Sequence, residues 1–220
     1  MAYYKVAIDG PSGAGKSTIA KELAVKLGID YIDTGAMYRA IGYKMLKENI
    51  DGTNNAQLSQ LLSETEIDFK GGSIYLDGDI IDSYIRTPEI SKMASNCSAI
   101  GIVREKLVDL QRKMGNSKSV IMDGRDIGTN VFPDADYKFF ITASSEERAR
   151  RRYNEMIEKG QSVSYERILE DIKNRDHNDS TRELNPLKKA ADAVEIDTTE
   201  MSINEVVNYI YREIKKNGNS

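Results

Sequence analysis

The chain has 220 residues, 40% hydrophobic and 30% charged, with a formal net charge of −4 at pH 7. That balance suits one globular domain with a sizeable core. It offers no basic field for nucleic acid or an anionic membrane, and no apolar run of membrane-spanning length. The single cysteine, Cys97, excludes an intramolecular disulfide and a cysteine-rich metal site. It reads as a small buried or half-buried side chain in a protein of a reducing compartment, most simply the cytoplasm.

The N-terminus runs straight into a first strand, Tyr3 to Asp9, with no leader pattern before it. Gly10-Pro11-Ser12-Gly13-Ala14-Gly15-Lys16-Ser17-Thr18 follows and fits G-x-x-x-x-G-K-[ST]. Lys16 to Leu27 then reads as an amphipathic helix, with Ile19, Leu23 and Leu27 on one face and Gly28 as its stop. In this order the glycines let backbone N–H groups converge on phosphate oxygens, and the helix N-terminus supports the same anion. The stretch from Gly10 to Thr18 therefore predicts a nucleoside-triphosphate site, with Lys16 on the β- and γ-phosphates and the Ser17 hydroxyl on Mg²⁺.

Asp30 to Asp33 reads as a second strand and Ala36 to Glu48 as a helix. Thr34, Tyr38 and Arg39 fall at the start of that helix, on the edge where open α/β sheets bind ligands. After a shorter helix, Ala56 to Leu62, the texture changes. Thr65 to Phe69, Ser73 to Leu76 and Asp79 to Ile81 alternate apolar and polar residues around Gly71-Gly72 and Asp77-Gly78, which predicts three short antiparallel strands. Thr87 and Pro88 open a helix carrying Ile90, Met93, Ala94 and Cys97, and Ile102 to Met114 forms another.

Ser119 to Met122 is a buried strand ending at Asp123-Gly124-Arg125-Asp126, and Tyr137 to Ile141 is a further strand. Helices at Ser145 to Lys159 and Tyr165 to Asn174 or slightly beyond, a strand at Val194 to Asp197 and a helix at Ile203 to Lys215 complete the chain. A short tail, Asn217 to Ser220, reads as frayed. The predicted fold is α/β: a doubly wound parallel sheet of about five strands flanked by helices, with a small three-stranded antiparallel insert.

Arginine placement narrows the chemistry. Phosphoryl transfer between two nucleotides gathers many negative charges, which bidentate guanidinium groups suit better than lysines. Arg125, between a strand end and Asp126, reads as a site residue, whereas Arg148 taken alone reads as a solvated helix face. Arg175, Asp179 and Arg182 share one face if their helix continues, but His177, Asn178 and Asp179 are weak helix formers and a loop could gather them instead. Asp123 holds the position of a carboxylate that orients Mg²⁺ through water. The lone His177 has no second histidine for a metal site. No base-specificity stretch of a GTPase and no nucleophile elbow is present.

These residues resemble the bacterial cytidylate kinases, short-lid nucleoside monophosphate kinases. The likeness runs through Ile8 to Thr18, Asp33 to Arg39, Ile85 to Glu89, Asp123 to Thr129, Val131 to Ala135, Ser144 to Ala149 and Arg175 to Arg182. It implies one kinase domain with its core at 1–62 and 98–220, a monophosphate-binding insert at about 63–97 and a lid at about 148–182. It implies transfer of the γ-phosphoryl group of Mg²⁺–ATP to CMP and dCMP by a cytoplasmic monomer, with no nucleic-acid or membrane partner. Thr34, Ser95, Arg104 and Asp126 would line the cytosine pocket, with Tyr38 beside them. Arg39 and Arg125 would hold the acceptor phosphate, and Asp179 and Arg182 the sugar. Arg151, Arg152 and Arg175 would act from the lid on the transferring group, Arg175 also touching the acceptor. Two positions depart from some members: Thr34 stands for serine and Ser17 for glycine, and both keep or restore a hydroxyl. The rival readings are a kinase of the same fold for AMP, UMP, shikimate or dephospho-coenzyme A, and a nucleotide-binding switch without turnover.

Overall fold

A computed structural model of the chain describes residues 3–217. The frayed tail expected at 217–220 lies, apart from Asn217, outside them. Two compact units emerge, one made of the residues up to Tyr31 together with those from Lys118 onward, the other of Ile32–Ser117.

The first unit is built on β1 (Lys5–Asp9), whose last four residues are buried. A strand covered on both faces must be apolar nearly throughout, which is why this segment lacks the alternation of a surface strand. β2 (Asp30–Asp33), β6 (Val120–Gly124), β7 (Tyr137–Thr142) and β8 (Val194–Asp197) join it in the order β2-β6-β1-β7-β8. β1 runs parallel to both neighbours, with Ile8 opposite Asp123 and Asp9 opposite Gly124 on one side and Phe140 on the other. That register brings Asp9, Gly124 and the end of β7 to one edge, where the order of connections reverses around β1.

Against the sheet pack α1 (Lys16–Leu27) and α8 (Ile203–Asn217), closing a core of Val6, Ile8, Ile19, Leu23, Ile121, Phe139, Ile141, Ile196, Val206 and Ile210. α6 (Ser145–Glu158) and α7 (Tyr165–Thr181) have a separate small core, with Ala149, Ile168 and Ile172 at its centre and Tyr153, Met156 and Leu169 around them. α7 runs through Asp179 to Thr181, the continuing helix that the spacing of Arg175, Asp179 and Arg182 left open, although propensity favours an end at Asn174 or slightly beyond. Asp179 is 5% exposed and is held by Arg125, so tertiary ion pairing carries the helix across weak formers.

The second unit holds α2 (Thr34–Lys47), α3 (Asn55–Ser63), α4 (Pro88–Cys97), α5 (Gly101–Asn116) and the antiparallel sheet β3 (Ile67–Lys70), β4 (Ser73–Leu76) and β5 (Asp79–Ile80). Both hairpin turns are as read: Gly71, Gly72, Asp77 and Gly78 all take positive φ, as tight two-residue connections require. α2 starts two residues earlier than expected because Asp33 caps it, accepting from Ala36 N at 2.8 Å. α4 begins as predicted, with Thr87 Oγ1 accepting from Ile90 N and Pro88 in the first turn. Cys97 is 1% exposed, and burial pushes its thiol up to about 12. Among the described residues, no helix is long and apolar enough to cross a membrane.

Candidate active site

Between β1 and α1 the chain turns through Gly10, Gly13 and Gly15, all at positive φ. At Gly10 only glycine fits: a Cβ there would lie 1.9 Å from the carbonyl oxygen of Ile141. Gly15 caps α1 in the left-handed conformation without a side-chain bond, so the first N–H groups of the helix point into the loop. Lys16, 5% exposed, folds back on this loop and donates from Nζ to the Pro11 carbonyl at 2.7 Å. Burial, helped by the Arg125 charge, lowers its pKa to about 7 against the pull of Asp123, Asp9 and Asp179. An ammonium so poorly compensated is poised for an added anion. Thr18 is exposed on α1.

Ser17 and Asp123, the two residues expected at Mg²⁺, lie in contact. Ser17 Oγ donates to Asp123 Oδ2 at 2.8 Å, and the Tyr31 hydroxyl donates to Oδ1 at 2.7 Å. A hydroxyl and a carboxylate side by side at the foot of a phosphate loop are hard oxygen donors of the kind a hydrated Mg²⁺ takes. Among the described residues no group of three or more His, Cys, Asp and Glu could hold a metal by itself. The fit is thus that of a cation shared with phosphate oxygens, not of an all-protein cage.

The second group is ionic. Arg125 Nε donates to Asp179 Oδ2 at 2.7 Å, and Nη1 donates to the Gly124 carbonyl at 3.2 Å. Burial works against the Arg125 charge, but the Asp179 carboxylate, with Asp123 and Asp9, outweighs it and holds the guanidinium pKa above its usual value. Asp179 responds in kind. Burial raises its pKa, yet Arg125, Arg175 and Arg182 together hold it below the ordinary carboxylate range. Arg182 donates to Asp126 Oδ1 at 3.2 Å and to the Asn185 carbonyl at 2.7 Å, and Asn130 donates to Asp126 Oδ2.

Of the lid-side arginines, Arg175 reaches the phosphate loop, donating to Ser12 Oγ at 3.4 Å. Arg151 is engaged by Glu147 and by Thr198, and Arg152 is exposed. Arg148 overturns the solvated-face expectation. It is 4% exposed and donates to the carbonyls of Ala143 and Ser12 and, through both terminal nitrogens, to Asp176 at 3.0 and 2.7 Å. One buried guanidinium thus ties the phosphate loop to α7. The surrounding helix is so rich in charge that sequence alone does not show which arginine turns inward.

Two further residues were not singled out by the sequence reading. The Thr198 hydroxyl, just past β8, lies within donating distance of the carbonyls of Ala14 and Thr142. Asp9 closes β1 and accepts two backbone bonds from residues 127 and 128; burial raises its pKa to about 6. The one signal for Asp9 was a carboxylate ending an apolar strand, as at Asp123.

In the second unit, Thr34 is buried at the start of α2, and Arg39 donates to Asp33 Oδ2 at 2.9 Å. The Arg39 Nε is buried without a hydrogen-bond partner. The Arg104 guanidinium lies 5.9 Å from the centre of the Tyr38 ring, and its Nη1 donates to the Ser98 carbonyl. Ser95 is half-buried on α4, its carbonyl accepting from Ser98 Oγ. Cys97 lies on the same helix, its thiol turned to the carbonyls of Tyr38 and Ala94. His177 is exposed.

Comparison with known proteins narrows this arrangement. Residues 6–216 match the family model described as cytidylate kinase. A cytidylate kinase of Clostridioides difficile is 54% identical over 209 residues, which is 95% of this chain and 97% of that one. A cytidylate kinase of Caldanaerobacter subterraneus subsp. tengcongensis is 53% identical over 213 residues, 97% of this chain and 95% of that one. Among solved structures, shikimate kinase from Bacteroides thetaiotaomicron aligns at a TM-score of 0.51 and 11% identity, over 97% of this chain and 99% of its own. That likeness concerns the fold alone. A phosphate loop on a five-stranded parallel sheet, an antiparallel three-stranded sheet and a family match over nearly all the sequence agree: this chain belongs to the cytidylate kinase family of nucleotide-binding kinases.

Proposed function

We propose that the chain transfers the γ-phosphoryl group of ATP to CMP and dCMP, giving ADP and CDP or dCDP. Beyond family membership, the observation that supports it most is the meeting of cations beside the phosphate loop. The charge of Arg125 is close enough to depress the pKa of Lys16, and Arg175 reaches Ser12. Cations gathered beside one loop, with burial outweighing the nearby carboxylates at Lys16, suit a site that receives an added anion.

In this reading residues 10–18 hold ATP, and Arg39 and Arg125 hold the acceptor phosphate. Thr34, Tyr38, Ser95, Arg104 and Asp126 recognise the base, with Asp179 and Arg182 at the sugar. The acceptor oxygen attacks in line, and no general base is required because a phosphate monoester is already nucleophilic near neutral pH. Catalysis is then positioning together with charge stabilisation of a loose transition state. Mg²⁺ bound with the nucleotide supplies neutralisation of phosphate charge, with Ser17 as ligand and Asp123 acting through water. Arg151, Arg152 and Arg175 act from a lid at about 148–182, which excludes water from the transfer, and the stretch at about 63–97 serves as the monophosphate-binding insert of a core at 1–62 and 98–220. The reading takes the enzyme as a cytoplasmic monomer with no nucleic-acid or membrane partner.

ADP release should be followed with Mg²⁺–ATP against CMP, dCMP, UMP, AMP and shikimate. Turnover with CMP and dCMP, weak turnover with UMP and none otherwise is expected. Turnover with AMP or shikimate instead, or with no acceptor, would overturn the assignment.

A further inference from the structure

Asp9 has no part in the transfer chemistry just described, yet it is a buried carboxylate beside the phosphate loop, 5% exposed. Each of its oxygens accepts one of two consecutive backbone N–H groups: Ile127 N at 2.8 Å on Oδ1 and Gly128 N at 2.7 Å on Oδ2. Those groups begin the turn Ile127–Val131, which is closed by wide hydrogen bonds from Val131 N to the Asp126 carbonyl and from Phe132 N to the Ile127 carbonyl. Turns of this i→i+5 kind are rare and favour functional sites.

The first N–H groups of a helical turn are ordinarily satisfied by the side chain just before it. Here that residue is Asp126, and it makes no such cap. Its carboxylate instead accepts from Asn130 and Arg182. Asp9 performs the capping from another strand, so the Asp126 side chain is turned to other partners. The turn is also closely packed at Gly128. A Cβ at Gly128 would come 3.2 Å from Lys138 Cδ and 3.4 Å from Asp9 Oδ2. The Lys138 ammonium is itself fixed on the Pro133 carbonyl and Asp192.

We propose that Asp9 is a positioning residue for the phosphoryl acceptor: by capping the 127–131 turn in place of Asp126, it sets how Arg125 and Asp126 are presented. The inference rests on the acceptor role proposed for Arg125 and Asp126.

Asp9→Asn tests it, because the amide keeps the shape of the side chain and one acceptor but turns an N–H₂ toward the other backbone donor. The expected result is a fall in kcat/KM for CMP of about tenfold to a hundredfold, with a several-fold smaller change in Mg²⁺–ATP affinity measured without acceptor, the lost pull of Asp9 on the Lys16 charge being the effect on that side. Faster amide exchange at Ile127 and Gly128 should accompany it. Gly128→Ala, which crowds the turn while Asp9 stays intact, should give the same acceptor-selective loss, and it carries the test if Asp9→Asn does not fold. Wild-type kcat/KM for CMP in either folded variant, or equal losses for ATP and CMP, would overturn the proposal. A wild-type enzyme inactive on CMP would sink the functional reading instead. Amide protection would then decide for Asp9, and unchanged protection at residues 127 and 128 in Asp9→Asn would overturn its capping role.

Discussion

The phosphate loop and the ion-pair cluster around Arg125 belong to the same unit but are made by opposite means. The loop is a run of neighbouring residues whose working groups are backbone N–H groups, aimed by glycines at positive φ. The cluster joins side chains far apart in sequence, with Arg125 on Asp179 and Arg182 on Asp126 separated by 54 and 56 positions. A backbone site is ruined by adding an atom, an ion-pair site by removing one. The first is specified locally, the second only by the finished fold.

Adding the atom has the largest effect. Gly10→Ala puts a methyl group 1.9 Å from a carbonyl oxygen of β7, at a φ of +144° that L-residues rarely adopt. Backbone on both sides leaves no flexible side chain to move aside. A fall in Tm of about 10 °C or more is expected in a thermal melt, together with loss of ATP binding. An unchanged melt would mean that the loop is held less tightly than this contact implies.

Removing an atom set from the cluster comes second. Arg125→Ala leaves Asp179 buried without its closest partner, which costs on the order of 3 kcal/mol, tempered by Arg175 and Arg182. Turnover should fall at least about tenfold. Adding Asp179→Asn to that background should restore much of the stability, read by denaturant unfolding, but none of the turnover. Recovery of both would reduce Arg125 to a structural partner of Asp179.

The smallest effect tests whether the two regions share one electrostatic account. Lys16 has a folded pKa lowered from 10.5 to about 7, chiefly by burial, so above that value the unfolded chain binds more protons than the folded one. Stability of the nucleotide-free protein should therefore rise as pH climbs from about 7 to about 9, above which the raised pKa of the Cys97 thiol works in the opposite direction. ATP phosphates favour the charged amine, so nucleotide binding at about pH 8 should take up as much as one proton. Calorimetry in buffers of different ionisation heat measures that uptake. It should vanish below about pH 6 and in Lys16→Met, and no buffer dependence at about pH 8 would contradict the lowered pKa.

This contrast also explains what could be read from the amino acids alone. Strand, loop and α1 follow from neighbouring residues, as do the two hairpin turns and the Thr87–Pro88 helix start, because each signal and its effect lie within a few positions. The end of α7 stayed open between a break at Asn174 or slightly beyond and a continuing helix, since propensity favours the first and only the buried pairing of Asp179 decides for the second. Arg148 was misread for the same reason. It stands among Arg150, Arg151 and Arg152 on one polar helix, and only the placement of Ser12 and Asp176 turns it inward. Thr198 lacked any periodic or motif signal, and Asp9, though it lies in the stretch that carries the family likeness, had none for its capping role, because their partners are backbone groups of distant segments.

The sole cysteine carries a practical consequence. With its sulfur buried and a pKa pushed up to about 12, Cys97 presents almost no thiolate to a maleimide or iodoacetamide at neutral pH. The native chain is thus already a quiet background for labelling. A cysteine placed at an exposed position such as Ser162 would take up a fluorophore or spin label alone, with no native residue to be removed first.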